Sequence, residues 1–96
     1  MTGHYLVQYS QTGSDELRAA KRSEHIAYRK GFGADLILAG PLLGDDGAAV
    51  GSVIIIAAPD AARARAMALG DPFVIAGLLE LESIRPMRIA AIAPPA

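Results

Sequence analysis

An α+β sandwich, with an antiparallel sheet and both helices on one of its faces, is the fold class this sequence predicts. Three observations carry that prediction. Extended and helical stretches alternate in the order β-α-β-β-α-β, and the second and third strands are joined by a tight Gly-Asp-Asp-Gly turn, Gly44 to Gly47. Two split β-α-β units with right-handed crossovers then interleave into the ferredoxin-like arrangement. Finally, 96 residues make one domain, short enough that it buries only about two-thirds of its unfolded surface.

The elements follow in order. His4 to Ser10 is rich in aromatic and branched residues and reads as the first strand, with Tyr5, Val7 and Tyr9 on one face and Leu6 and Gln8 on the other. Thr12, Gly13 and Ser14 make a turn, and Ser14 caps a helix whose first turn carries Asp15 and Glu16, where the helix dipole favours anions. That helix runs to about Lys30, ending in Arg29, Lys30, Gly31 and Gly33. Gly31-Phe32-Gly33 neither follows a strand nor opens a helix, so it reads as a stop signal and not as a nucleotide loop. Leu36 to Leu43 is the second strand, and Pro41 places it at a sheet edge or at a bulge. Val50 to Ala58 is the third. Asp60 caps a second helix that Gly70 ends, and Asp71-Pro72-Phe73 starts a short further turn of helix. Leu78 to about Ile84 is the fourth strand. Pro86 is expected to interrupt it, with Met87 to Ile92 a fifth strand or arm and Ala93 to Ala96 a frayed tail.

Hydrophobic residues make up 52% of the chain, more than so small a monomer readily hides. Val53-Ile54-Ile55-Ile56 and Leu36-Ile37-Leu38 are apolar on both faces of their strands, whereas a sheet with one wet face alternates. The economical cover for the helix-free face is a second copy of the same sheet, so a homodimer is expected. Gln8, Glu80 and Glu82 would give a cavity between the sheets a partly polar lining. Formal net charge is −1 with acids and bases intermixed, unlike the concentrated basic patch of a nucleic-acid protein. The chain has no cysteine, which removes disulfides and thiolate chemistry. The longest apolar run, Val53 to Ala58, is far too short to span a bilayer, and no signal peptide is evident, so the expected setting is the cytosol.

The candidate chemistry centres on the first helix. Residues three and four apart share a helix face, so Arg22, His25, Tyr28 and Arg29 form one polar stripe, either solvated surface or the wall of a cleft. Four segments, Arg22-x-x-His25, Ala39-Gly40-Pro41, Gly51-Ser52-Val53-Ile54 and Asp71-Pro72-Phe73, together resemble the YciI-like (YCII-related) proteins across nearly the whole chain. The resemblance implies a dimeric α+β barrel of ferredoxin-like subunits. It also implies an active site built on a histidine and an aspartate, here His25 and Asp71. A dehydrochlorinase acting on a chlorinated hydroxyhydroquinone is a relative, which gives lyase-type chemistry a precedent.

Each candidate has a bland reading beside the functional one. His25 suits proton transfer because imidazole titrates near neutrality, but a helix also carries packing histidines. Asp71 would orient His25 and stabilise its imidazolium, and an aspartate before proline is equally an ordinary helix cap. Arg22 would hold an anionic or phenolic substrate, or else pair with Asp15 or Glu24. Gly40 and Pro41 would shape the mouth of the cleft, and Ser52 would donate to a ligand or simply pack. Tyr28 is expected in packing, and Tyr5 and Tyr9 in the core or a cavity wall. His4 is expected at an exposed strand start, and Arg63, Arg65, Arg85 and Arg88 on solvated surface. No metal-ligand set is evident. The expected function is therefore a small enzyme that moves protons without a metal or organic cofactor, in an elimination, isomerisation or related rearrangement of a small polar molecule, aromatic ones included. The alternative is a non-catalytic small-molecule-binding or structural module. A weaker one is a cofactor-free oxygenase or a haem-binding protein; the absence of tryptophan and the small aromatic count disfavour a large flat cofactor such as haem.

Overall fold

The computed structural model describes residues 2–93. Four strands form one antiparallel sheet: β1 (Gly3–Gln11), β2 (Leu36–Leu43), β3 (Ala49–Ala58) and β4 (Leu79–Met87), in the spatial order β2-β3-β1-β4. The helices are α1 (Asp15–Lys30), α2 (Ala61–Leu69) and the single turn α3 (Pro72–Ile75), with a 3₁₀ turn at Gly33–Asp35. This is the ferredoxin-like order, with the first and third strands central and the second and fourth at the edges.

Capping side chains set the helix starts where the sequence places them. Ser14 accepts a hydrogen bond from the Leu17 N–H at 3.1 Å, and Asp60 accepts one from Arg63 at 2.8 Å. The helices differ sharply in how they meet the sheet. Ala64, Met67 and Ala68 form a buried face on α2, and small alanines let it settle on β3, β1 and β4. The core beneath it contains Val7, Tyr9, Ile54, Ile56, Leu78 and Leu79. In contrast, α1 buries a single residue, Arg29, and packs chiefly against α3. Its inward side is held off the sheet, and that separation creates the site described below.

Pro41 lies on edge strand β2 opposite Ser52, as its missing N–H requires. Pro86 does not end β4. It sits in register with Tyr5, and pairing continues to Met87 opposite His4, because β4 is the other edge strand and has an unpaired side that tolerates proline. No fifth strand follows among the described residues. Instead the chain after Met87 turns over the helix-free face, where residues 87–92 and Ile37, Leu38 and Ile55 bound a hollow of about 450 Å³. The expected tail lies largely outside the described residues. His4, expected to be exposed, is half-buried in the ladder between Ala57 and Met87.

One glycine is dictated by close approach. A methyl group at Gly51 would run into the backbone carbonyl oxygen of Tyr9 on the neighbouring strand. Gly51→Ala is expected to destabilise the fold by about 1–3 kcal/mol, the usual cost of forcing extra volume into a packed region. Urea unfolding followed by circular dichroism would read this as a lower midpoint with an unchanged slope.

Candidate active site

Between α1 and the β2–β3 edge of the sheet lies a cleft of about 570 Å³. The polar stripe of α1 forms one wall, which settles its role: Arg22, His25 and Arg29 all line this space. Tyr28 does not. It turns the other way, donates to the Met67 carbonyl at 3.0 Å and packs edge-to-face on Phe32 at 5.1 Å.

At the back of the cleft stands Asp71, 1% exposed, at the N-cap of α3. Its Oδ1 accepts from the Phe73 N–H at 2.8 Å, the ordinary capping bond. The same carboxylate meets His25 Nδ1 with both oxygens, at 2.7 and 2.8 Å, and Oδ2 also accepts from Arg29 Nε at 3.0 Å. Cap and histidine partner are thus one group, as the two oxygens of a carboxylate allow. Burial by itself would raise the Asp71 pKa. The hydrogen bonds from His25 and the Phe73 N–H, with the nearby charges of His25 and Arg29, outweigh it and hold the carboxyl below the ordinary aspartate value.

An ionised Asp71 can only accept at these contacts, so His25 Nδ1 carries a proton there; in a neutral imidazole the lone pair then sits on Nε2. Phe73 fixes the plane of the ring: the two rings stack with centroids 3.9 Å apart and planes 1° from parallel. Asp71 and Phe73 therefore lock the position and rotation of His25 from the same short helix.

Arg29, which the sequence reading placed on the polar stripe without a partner, holds the Asp71 carboxylate beside His25. Its side chain is 10% exposed, and its Nη1 donates to Ser52 Oγ at 3.2 Å. Its guanidinium lies over the Tyr9 ring, 5.6 Å from the centroid, a π-contact that offsets the absence of a hydrogen-bond partner for the buried Nη2. Tyr9 is core, as one of its two expected readings had it. Its hydroxyl donates to the Ala68 carbonyl at 2.9 Å, and burial pushes its pKa well above the ordinary phenol value, with Asp71 adding to the rise and Arg29 opposing it. The available signal for Arg29 was its place one turn after His25 on the same helix face.

The remaining expected residues fall into two groups. Gly40, Pro41 and Ser52 line the cleft with His25. Ser52 is already engaged, accepting from Arg29 and reaching the Gly40 carbonyl at 3.5 Å, so it braces the wall. Arg22 is exposed and pairs with neither Asp15 nor Glu24, whose partners are Arg18 and Lys21. Arg63, Arg65, Arg85 and Arg88 are on the surface. Among the described residues no three His, Asp or Glu side chains gather in a set that could hold a metal ion, and no helix is long and apolar enough to cross a membrane.

Fold and site together define a small ferredoxin-like α+β protein with a histidine–carboxylate pair at the back of an open cleft. The YCII-related domain family matches the chain over residues 2–88, and the chain belongs to that family. It is similar to the solved structure of 5-chloro-2-hydroxyhydroquinone dehydrochlorinase from Burkholderia phenoliruptrix AC1100 in complex with 2,5-dihydroxybenzoquinone. Identity is 26%, coverage 93% of each chain and TM-score 0.68. No curated protein matches the chain.

The lowered Asp71 pKa has a direct consequence for stability. In the acid range the native state binds fewer protons at this site than the unfolded chain does, so stability falls as pH falls. The contribution is complete above the unfolded aspartate value, about 3.9, and is lost as pH drops through the lower native value. Asp71→Asn, which leaves Arg29 buried without its counter-charge, is expected to cost about 3–5 kcal/mol at neutral pH. Melting curves should show the gap to wild type narrowing below about pH 4.

Proposed function

We propose that the cleft is the active site of a cytosolic acid–base enzyme and that His25 moves the proton. The observation that carries this reading is the seating of His25 Nδ1 on both Asp71 oxygens at 2.7 and 2.8 Å, with the opposite nitrogen left to the cleft. Nε2 takes a proton from the bound molecule, and the electron pair so released expels an anionic leaving group or shifts a double bond. Asp71 accepts the Nδ1 hydrogen bond and stabilises the imidazolium that forms, as the carboxylate does in hydrolytic triads, without a nucleophile being needed. Return of the proton to the product or to water resets the site. The similarity to a dehydrochlorinase supports elimination or isomerisation of a small, oxygenated ring compound as the reaction type. The cleft volume is within the range of small-molecule sites.

The same reading includes a homodimer joined through the helix-free sheet faces. Ile37 and Leu38 remain 38% and 47% exposed on that side, and Val53 and Ile55 are only half-buried despite lying in an apolar strand. Covering them would bring the exposed apolar area toward that of ordinary domains.

Chloride release from 5-chloro-2-hydroxyhydroquinone tests the chemistry. Wild type is expected to release chloride, and His25→Ala should lose activity by a factor of about 10²–10⁴, the usual worth of a positioned acid–base group. Full activity in His25→Ala, or binding without turnover in wild type, would refute the assignment. For the assembly, sedimentation velocity should give a dimer for wild type and a folded monomer for Val53→Lys; a monomeric wild type would contradict the proposed interface.

A further inference from the structure

The charges around the cleft point to the class of molecule it takes. Arg18, Arg22, Arg29 and Lys30 all contribute to its walls, and no aspartate or glutamate does. Asp71 lies behind this surface with its charge engaged by Arg29, and Arg18 is offset by Asp15 at 2.7 Å. Arg22 and Lys30 have no ion-pair partner among the described residues. The chain as a whole carries a net charge of −1, so the excess positive charge is a local property of the cleft.

Arg18, Arg22, His25 and Arg29 fall within about 60° of one another around the helix axis, since 3.6 residues make a turn. The free guanidinium of Arg22 is therefore one turn from His25 on the same face. Most of the other lining is apolar, including Ile26, Leu36, Pro41, Phe73 and Leu79.

Resting on the reading of this cleft as the active site, we propose that its substrate is an organic anion: a carboxylate or phenolate on an apolar body of about ring size. Arg22 binds the anionic group, the apolar wall holds the ring, and the reacting atom comes to rest at His25 Nε2. The acid-free lining rejects cations of the same shape.

Isosteric probes test the charge preference without knowledge of the substrate. Benzoate, benzamide and benzamidinium share a shape and carry −1, 0 and +1. Amide chemical shifts of the uniformly labelled protein, titrated with each, should map to Arg22, His25 and Ser52. Benzoate should bind about 10- to 100-fold more tightly than benzamide, as expected for a charge-assisted hydrogen bond. Benzamidinium should not bind. A parallel pair, 4-nitrophenolate and 4-nitroaniline at pH 8.5, asks whether a phenolate is held as well as a carboxylate; the tighter anion names the subclass, and either outcome supports the proposal. Arg22→Ala should bring benzoate down to the affinity of benzamide, Arg22→Lys should keep part of the preference, and added salt should weaken it. Equal binding of all three probes, or a preference untouched in Arg22→Ala with its fold intact by circular dichroism, overturns the proposal. The preference is read by binding alone. Loss of the proton-transfer reading therefore appears as an active His25→Ala with benzoate still preferred, and loss of this inference as an inactive His25→Ala with no anion preference.

Discussion

Nearly all of the architecture around the cleft follows from one buried carboxylate. An ionised aspartate with 1% exposure carries a desolvation penalty of several kcal/mol unless cations and hydrogen-bond donors surround it. Asp71 has an imidazole, a guanidinium and a backbone N–H around it. Two of those donors belong to α1, so the inward side of that helix must be polar where a two-layer sandwich ordinarily needs it apolar. This explains why Arg29 is the one buried residue of α1 and why the helix leans on α3 while standing clear of the sheet. The cleft is the space left by that compromise.

Three consecutive residues supply most of the ordering. Asp71 caps α3 and anchors His25, Pro72 starts the helix where no N–H donor is needed, and Phe73 returns the capping N–H and stacks on the imidazole. A single turn of helix would be marginal in isolation. Here its backbone, its cap and its aromatic ring are each tied to α1 or the core, which makes it rigid enough to hold a side chain at a defined angle. The second brace runs the other way, from Arg29 through Ser52 to the β2 backbone at Gly40. The His25 pair is thereby linked to both walls of the cleft.

How legible this was in the sequence depended on the range of the interaction. Ser14, Asp60 and Asp71 announced helix starts because a cap acts within three residues, and β2 was bounded correctly because glycine and aspartate punctuation is equally local. Pro86 misled because its effect depends on whether the strand is at an edge, a tertiary fact; of the strand or arm expected after it, no strand forms among the described residues. Arg29 read as a counter-charge at a helix C-terminus, a role any basic residue fills, while its actual partner lies 42 positions away. His25 and Asp71, 46 positions apart, were paired only through the resemblance to known proteins, since neither a helical histidine nor an aspartate before proline is diagnostic alone. The stripe on α1 could be drawn from spacing. Only the packing of α1 on α3 showed that it faced a cleft.

The protonation of the His25 ring is where these observations converge. Long-range ¹⁵N–¹H correlation of the imidazoles at a pH above their titration range reads the tautomer directly. A buried ionised Asp71 requires the His25 proton on Nδ1 and an unprotonated Nε2 facing the cleft, with Asp71→Asn disturbing that assignment. A proton resident on Nε2, or a tautomer mixture like that of free imidazole and indifferent to Asp71→Asn, would contradict it.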